Sequence, residues 1–358
     1  MEKFYHILKY SLLVVIAGIV VYLVIYLQPL YPYFGYALTF AKDLVVTQEN
    51  VLRTNNGRIN FLILGLGEPK NEPSGLTDTI IFASADLKGK DVLLLSIPRD
   101  IWVPQMQAKI NTAYYYGNSE EGTGLDWTRK YVSEIVGQPI DYEVVVSFDN
   151  FREFVNLLGG VDVNVEKSFT DDQYPIFGKE DDLCSGDPET QCRYQTVTFE
   201  TGLHHFDGET ALKYARSRHA QGAEGTDFSR SQRQQKIISA IRGKVLAFDF
   251  LSNPTKIGQV LDIVNNAIDT DIPQSHFGPL AKLAFKLKSA TIRNQVLETP
   301  DQLSLNDGFL DHPKDNQKYN KQWVLVPRGG NWDAAHSWVA CLLQNNDCKV
   351  GDFTSVKK

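Results

Sequence analysis

The sequence predicts an α/β domain with a covered β-sheet, preceded by one transmembrane helix. The first observation is the apolar segment Ser11–Leu27, within a stretch from Tyr10 to Ala41 that lacks Asp, Glu, Lys and Arg. The second is an alternation of short apolar runs with capped helical patterns, which is typical of a sheet covered by helices. The third is the composition: 358 residues, 43% hydrophobic and 22% charged, indicate a globular chain with a sizeable core.

The apolar segment Ser11–Leu27 is about the minimum length for a helix that crosses a hydrocarbon core of ~30 Å. Aromatic residues flank it on both sides, and Pro29 ends the helix. Lys3 and Lys9 precede it, which places the N-terminus in the cytoplasm and the rest outside. A cleaved signal peptide and a buried core helix are the alternatives. We expect a single-pass protein of the cell membrane with an extracytoplasmic C-terminal domain.

The elements of the exported part follow from local patterns. Short apolar runs predict buried strands, and amphipathic runs bounded by cap residues or glycines predict helices. In chain order these are strands at Phe61–Leu66, Thr79–Ala83 and Val92–Ile97, a helix at Trp127–Val136, a strand at Tyr142–Phe148, a helix at Asn150–Leu158 capped by Asp149, and a strand at Val161–Val165. An acidic, turn-rich insert at Thr170–Arg193 breaks this regularity.

Two further helices are predicted beside a cluster of arginines, Arg216, Arg218, Arg230 and Arg233. Asp207 is predicted to cap a helix that runs through Tyr214, and either Asp227 or Ser229 is predicted to cap a long helix with one apolar stripe. Helices at 252–268 and Pro279–Leu287 follow, and a strand and a helix near the end are expected to lie back on the core. The predicted division is therefore an anchor region at 1–45, a main domain at 58–248 and a C-terminal extension at 249–358.

The four cysteines form two close pairs, Cys184 with Cys192 and Cys341 with Cys348. Oxidation within each pair fits an exported chain, and each bond would close a small surface loop. Free thiols are the alternative. A metal site is disfavoured because neither pair has CxxC spacing.

Charge patterning excludes one class of function and singles out a first group of candidate residues. A net charge of −7 argues against broad contact with a nucleic-acid backbone, so any basic site must be local.

Asp78 begins one buried strand, and Arg99 and Asp100 follow the end of another. Open α/β sheets place ligand contacts at such strand ends. For the two aspartates, a role in a turn or a cap is the alternative.

The second group of candidates is Arg216, Arg218, Arg230 and Gln234. The first two arginines diverge on a helix but share one side of an extended segment, so a joint role requires the helix to end near Ala215. The other two are separated by one helical turn.

With Arg233 nearby, these residues form a cluster of cations in an acidic protein. Forked guanidinium donors beside a helix N-terminus suit a phosphate group. A solvated basic surface is the alternative, but lysine rather than arginine would be expected to dominate such a surface.

At these residues the chain resembles the LytR-CpsA-Psr family of bacterial cell-envelope proteins. The resemblance runs from about Asn60 to Ala247 through the motifs TDTI, SIPRD, KINTAY, GLHHFDGETALKYARSRH and DFSRSQRQQ. It implies a three-layer α/β/α sandwich with a central mixed sheet, a hydrophobic tunnel for a polyprenyl chain, and an arginine-lined mouth that holds pyrophosphate with a magnesium ion. The implied activity is transfer of a glycopolymer from its lipid carrier to peptidoglycan, with a polyprenyl pyrophosphatase side activity as a further expectation.

The resemblance also implies roles for individual residues. Asp78 matches the magnesium-associated aspartate, and the positions that contact pyrophosphate are Arg99, Arg216, Arg218, Arg230 and Gln234. From the reaction chemistry rather than the resemblance, Asp100 joins Asp78 and Arg99 as a catalytic candidate that could act as the base, and the alternative is that no base is needed because the leaving lipid phosphate is well stabilised. The chain departs from the family pattern at Leu76, where an arginine is usual, and at Gly67, where an aspartate is usual. Glu68, beside Gly67, is the candidate second metal ligand.

Two other classes of function compete with the transferase. One is a binding module that grips a polyprenyl pyrophosphate or a glycan without turnover. The other is a transcriptional attenuator, which is disfavoured because no helix-turn-helix is visible and the N-terminal tail is too short to reach DNA.

Overall fold

The computed structural model describes residues 42, 49–67, 75–120, 122–176, 178–179, 182–247, 254–267, 269–300, 308–344 and 348–354. The predicted membrane segment Ser11–Leu27 and the candidate ligand Glu68 lie outside these residues. Within the described ranges, no helix combines the length and the apolar character that crossing a membrane requires.

The chain contains runs of consecutive strands as well as strands separated by helices. The strands are β1 Arg58–Leu66, β2 Thr77–Asp86, β3 Asp91–Ser96, β4 Trp102–Val103, β5 Ala108–Lys109, β6 Tyr142–Val146, β7 Val161–Val165, β8 Phe169–Pro175, β9 Tyr194–Phe199, β10 Gly202–Phe206, β11 Asp269–Thr270, β12 Thr291–Val296, β13 Leu310–Asp311 and β14 Val326–Pro327. The α-helices are α1 Ala113–Glu120, α2 Gly124–Val136, α3 Phe148–Leu157, α4 Gly208–Arg216, α5 Asp227–Val245, α6 Pro254–Ala267, α7 Phe277–Lys286, α8 Asp333–Leu343 and α9 Gly351–Thr354.

The central sheet has six strands in the order β11-β6-β1-β2-β3-β12. β1 pairs with β6 and β3 pairs with β12 in parallel, whereas the other three pairs are antiparallel. The sheet is therefore mixed, as predicted. Because β2 runs against both β1 and β3, its N-terminal end lies at the same edge as the C-terminal ends of β1, β3, β6 and β12.

Helices cover the sheet on both faces, which confirms the three-layer α/β/α architecture. On one face, Leu62 packs in a single cluster with Ile135 of α2 and Trp338 of α8. On the opposite face, Ile81 clusters with Ile238 of α5. Successive residues of a strand point to opposite faces, which is why the apolar runs of β1 and β2 can supply both cores.

The C-terminal part of the chain completes the sheet. Its outer strands β11 and β12 both come from beyond residue 248, so the domain boundary predicted there cuts through the sheet. Trp338 of α8 is fully buried in the core. Both predicted disulfides are present, with Cα–Cα distances of 5.4 Å for Cys184–Cys192 and 6.1 Å for Cys341–Cys348.

Several local predictions are corrected by the structure. Thr226 caps α5 by accepting a hydrogen bond from the Ser229 amide, so neither predicted cap residue is the cap. Ser147 caps α3 in the same way, which displaces Asp149 into the first turn of that helix. The insert at Thr170–Arg193 is not merely a turn-rich excursion, because its first residues belong to β8, which pairs with β9 and contributes to a second apolar core.

A buried ion-pair network joins three strands of the sheet to α8. The carboxylate of Asp91, which is 2% exposed, accepts hydrogen bonds from Arg58 at 3.0 and 3.2 Å and from Arg293 at 2.5 and 3.2 Å. Arg293 also donates to the Leu342 carbonyl at 2.7 Å. Burial raises the pKa of Asp91, but the hydrogen bonds from the two arginines outweigh it, so that the pKa lies below its ordinary value.

We expect Asp91→Asn to lower the free energy of unfolding by about 3 kcal/mol at pH 7, because it leaves two largely buried guanidinium groups without their carboxylate. Since the folded-state pKa is depressed, the stabilisation is present above the unfolded pKa of ~3.9 and is lost as the pH falls through the lower folded value. The difference from wild type should therefore shrink below about pH 4. Urea unfolding against pH tests this, with Asp311→Asn, at an exposed position, as the matched control. Equal stability of the two variants at pH 7 would contradict the role of the network.

Candidate functional site

Several of the residues predicted from the sequence lie at one edge of the central sheet. Gly65, near the end of β1, pairs with Thr79 of β2 on one side and with Val146 of β6 on the other. Ser96, at the end of β3, pairs with Val296 of β12. This register places Asp78, Arg99 and the N-terminus of α3 at the same edge, as expected for ligand contacts in an open α/β sheet.

A chain of alternating charges lies at the ends of β2 and β3. The Arg99 guanidinium donates to Oδ1 of Asp78, and its Nε lies 3.7 Å from Oδ2 of Asp100. Asp100 in turn accepts a hydrogen bond of 2.6 Å from the ammonium group of Lys109. Both aspartates are therefore held by cations, and Arg99 contacts Asp78 and Asp100 through different nitrogen atoms. Sequence reasoning quoted the KINTAY motif but did not identify Lys109 as part of the site.

Gly67 lies beside Oδ2 of the Asp78 carboxylate. A Cβ atom at position 67 would stand 3.0 Å from Oδ2 of Asp78, so the absence of a side chain leaves that oxygen room. Magnesium in phosphate sites commonly takes one or two carboxylates and completes its shell with phosphate oxygens and water. The described residues fit an ion of this kind, with Asp78 as the protein ligand and phosphate oxygens as the others.

The helix α4 ends where the joint use of two arginines requires. Arg216 is its last residue, and Ser217 is already extended with φ −50° and ψ 130°. The Arg216 guanidinium lies over the ring of Phe148, 4.1 Å from the centroid, with Tyr174 at 5.8 Å. Phe148 is the first residue of α3, so this stacking holds Arg216 at the sheet edge. Neither ring was singled out from the sequence.

Arg218 is exposed, and a buried aspartate orients its backbone. The Asp171 carboxylate is 1% exposed and accepts hydrogen bonds from the amides of Arg218 at 2.9 Å and His219 at 3.2 Å. A carboxylate that binds two successive amides fixes the turn after α4 and directs the Arg218 side chain outward. Asp171 lies in the segment that the sequence predicted as a surface insert, which is why its role was not foreseen.

Arg233 points into the core and so does not join the cations that are predicted to bind phosphate, which corrects the prediction that it adds to them. It is 2% exposed and donates to the carbonyl oxygens of Tyr214 at 3.1 Å and Ser217, and to the Glu224 carboxylate at 3.2 Å. Its guanidinium also lies over the ring of Phe169 at 4.6 Å. Burial lowers the pKa of Arg233, and Glu224 partly opposes that shift. Arg233 therefore ties the loop between α4 and α5 to the second core.

Arg230 and Gln234 lie one turn apart on α5, and both are half-buried. The next residue, Gln235, is 1% exposed and anchors this part of α5 to the sheet edge. Its side-chain amide donates to Ser96 Oγ and to the Gln295 carbonyl, both at 3.1 Å. The anchor brings the N-terminal half of α5 to the edge that carries Asp78 and Arg99. Sequence reasoning chose Gln234 because it lies one helical turn after Arg230. It missed the neighbouring Gln235, whose contacts depend on tertiary packing.

The two faces of the sheet are covered to different degrees. Residues that face α2 and α8, such as Leu62 and Leu95, are 0% exposed. On the α5 face, several apolar residues are only partly buried: Phe61, Ile63, Val92, Ile238 and Ile292. The apolar surface on the α5 face is therefore incompletely covered, with Ile63 in the middle of β1 and Val92 and Ile292 near the end of the sheet opposite the cationic edge.

The chain is similar to a known protein family and to named relatives. The model of the LytR_cpsA_psr family matches residues 39–323. A relative named polyisoprenyl-teichoic acid–peptidoglycan teichoic acid transferase TagU, from Enterococcus faecalis, is 28% identical over 264 residues, which are 70% of this chain and 75% of that protein. The regulatory protein MsrR of Staphylococcus aureus is 30% identical over 245 residues, 67% of this chain and 64% of MsrR, so the chain spans less than two thirds of that relative.

Among solved structures, the crystal structure of Bacillus subtilis TagV superposes with a TM-score of 0.56 and 24% sequence identity. The match covers 81% of this chain and 99% of the TagV chain. At this level of identity the likeness shows a shared fold.

The structure predicts a large loss of stability when one arginine of this segment is replaced and almost none when the other is replaced. Arg233→Ala should lower the free energy of unfolding by roughly 3–5 kcal/mol, because buried carbonyl and carboxylate oxygens lose their donor. Arg218→Ala should change it by less than about 0.5 kcal/mol, because that side chain is exposed. Urea unfolding of the two variants, side by side, measures the difference. A strongly destabilised Arg218→Ala protein would show that this arginine is structural.

Proposed function

The chain belongs to the LytR-CpsA-Psr family, and from this premise we propose that it is a phosphotransferase that moves a glycopolymer from a polyprenyl-pyrophosphate carrier to peptidoglycan. The name of the Enterococcus relative describes the same class of reaction, with teichoic acid as the glycopolymer. The observation that carries the proposal is the set of arginines that two separate parts of the chain bring to one edge of the sheet, next to Asp78.

The chemistry of phosphoryl transfer explains why fixed cations at the site are enough to promote the reaction. When an acceptor hydroxyl attacks the phosphorus of a pyrophosphate, negative charge spreads over the phosphoryl oxygens and the leaving phosphate. Fixed cations stabilise that charge without reorganisation. Arg99 is fixed between two carboxylates and Arg216 by the Phe148 ring, whereas Arg218 projects from a turn fixed by Asp171. Each charge-assisted contact can contribute roughly 1.5–3 kcal/mol.

The incompletely covered sheet face supplies a place for the lipid. A polyprenyl chain is wholly apolar, and its transfer from water to an apolar surface contributes about 25 cal/mol per Å². The partly buried residues Phe61, Ile63 and Ile238 lie on the α5 side of the sheet, and α5 itself is anchored at the cationic edge through Gln235. A lipid on this face would present its pyrophosphate to the arginines.

A magnesium ion would add positive charge at the pyrophosphate. Asp78 is the described residue that would hold it, and Glu68 is the second ligand expected from the sequence. Arg99 keeps Oδ1 of Asp78 occupied, which leaves Oδ2, the oxygen beside Gly67. Asp100, the candidate base, is bound by Lys109, and its contact with Arg99 also gives it a positioning role.

The protein works at the outer surface of the cell membrane, anchored by the segment Ser11–Leu27. Two disulfides support an oxidising compartment, since such bonds are rare in cytosolic proteins. An anchor at the bilayer raises the effective concentration of a lipid-linked substrate.

Transfer assays with the full chain in detergent test the proposal. Arg216→Ala and Arg218→Ala should each lower kcat roughly 10²–10³-fold, the loss typical for removal of one donor to a developing oxyanion. Lys88→Ala removes an exposed cation in the β2–β3 turn, at the opposite edge of the sheet, and should leave transfer unchanged. Lipid-linked oligosaccharide and peptidoglycan are the substrates, and release of lipid phosphate is the readout. Tight lipid binding without release would support the binding module instead.

Magnesium should matter only in the presence of the lipid. We expect the ligand-free protein to bind magnesium weakly, because Asp78 is the one described carboxylate whose position suits the ion. We expect magnesium to strengthen binding of a polyprenyl pyrophosphate at least tenfold, and Asp78→Asn to remove most of this gain. Calorimetry of wild type, Asp78→Asn and Glu68→Gln measures the affinity of the ligand-free protein for magnesium. The same titrations with the lipid, with and without magnesium, measure the gain in lipid affinity. Lipid binding that neither magnesium nor Asp78→Asn alters would show that the metal site is misassigned.

A further inference from the structure

A cavity of about 460 Å³ lies between the β4–β5 hairpin, α2 and the segment at 318–332. Its volume falls within the range of small-molecule sites, roughly 300–1,000 Å³. Its lining combines aromatic rings with polar side chains, including one carboxylate, Glu134, and one ammonium group, Lys318. The lining residues that matter for its chemistry are Trp102, Tyr131, Tyr319, Trp332, Gln105 and Glu134.

The walls of the cavity are fixed in place. The Trp102 amide donates to the Leu325 carbonyl at 2.8 Å, and the Asn320 side chain donates to the Gln107 carbonyl at 3.1 Å. The rings of Trp102 and Tyr319 meet edge to face, with centroids 5.5 Å apart. A preformed pocket loses little conformational entropy when a ligand binds.

The hairpin that forms one wall also carries part of the candidate active site. β4 begins two residues after Asp100, and Lys109 of β5 binds the Asp100 carboxylate at 2.6 Å. The Asp100 carbonyl accepts a hydrogen bond of 2.9 Å from Leu325, in the segment opposite. A ligand in the cavity therefore contacts the element that positions Arg99.

The lining suits a sugar ring better than an anion or an aliphatic chain. A pyranose presents axial C–H groups that pack on aromatic faces, and hydroxyl or acetamido groups that need donors and acceptors at the rim. Trp332 and Tyr319 are half-buried rings, and the amide of Gln105 and the carboxylate of Glu134 supply the polar contacts. Nε2 of Gln105 lies 3.5 Å from Oε2 of Glu134. Because this hydrogen bond is long, a ligand hydroxyl can replace it.

We propose that this cavity is a subsite for the acceptor, a β-linked N-acetylhexosamine strand of peptidoglycan. The acceptor role rests on the proposed transferase function. The cavity lies on the α2 side of the sheet, whereas the incompletely covered apolar face lies on the α5 side. Donor lipid and acceptor glycan would thus lie on opposite faces of the sheet, which lets both substrates bind together.

Calorimetric titration of the full chain in detergent with chitotetraose, a β-linked N-acetylglucosamine oligomer, tests the subsite. Trp332→Ala should weaken binding at least tenfold. Trp323→Ala is the matched control, because that tryptophan is 49% exposed, stacks on His312 and does not line the cavity. If the melting temperature of Trp332→Ala lies far below that of the wild type, Glu134→Ala, at an exposed side chain, is used in its place. Glu134→Ala should weaken chitotetraose binding at least threefold.

The remaining measurements separate this inference from the proposed function. Arg218→Ala should lose transfer yet keep chitotetraose binding. In transfer assays, Trp332→Ala should raise the KM for peptidoglycan with little change in kcat. If the wild type shows no transfer but Trp332→Ala still weakens chitotetraose binding, the proposed function fails and the glycan subsite stands. Absent chitotetraose binding, equal binding by Trp332→Ala, or displacement of chitotetraose by a glycerol phosphate oligomer would overturn the acceptor subsite.

Discussion

The buried guanidinium of Arg233 is the interaction on which the shape of the cationic site depends. It ties the carbonyl oxygens of Tyr214 and Ser217 to the Glu224 carboxylate, and so closes the loop between α4 and α5 over the second core. With the loop closed, the chain leaves the helix at Arg216, and Asp171 can bind the two amides that follow. An exposed arginine in the site is thus oriented by a buried arginine that never faces the ligand.

Charge pairing serves the two halves of the site differently. At the ends of β2 and β3, carboxylates and cations alternate, so that Arg99 is held by neighbours of opposite charge. At the end of α4, an aromatic ring holds Arg216 and leaves its charge uncompensated by that contact. The first half therefore gains rigidity, and the second half gains positive potential. A pyrophosphate needs both, because it must be held in one position and its charge must be neutralised.

The sequence alone predicts the strands and helices that depend on local patterns. The apolar runs of β1, β2 and β3, the limits of β7 and the end of α4 were predictable from periodicity, caps and glycines. The positions of Asp78, Arg99, Arg216 and Arg218 followed from their place at strand and helix ends. The contacts of Asp171, Phe148, Gln235 and Lys109 were not predictable, because each depends on tertiary packing between segments distant in sequence. Arg233 was misjudged for the same reason: one-dimensional proximity to other arginines does not reveal which one points into the core.

The central sheet also constrains the order in which the chain can fold. β12 pairs with β3, and Arg293 meets Asp91 across 202 residues of sequence. Until that late segment arrives, β3 is an open edge with exposed backbone donors and acceptors, and the Asp91 carboxylate has one arginine instead of two. Long-range pairing of this kind slows folding and prolongs the life of partly folded, aggregation-prone states. A chain synthesised from its N-terminus therefore carries its candidate site on an incomplete scaffold until the last third of the protein has emerged.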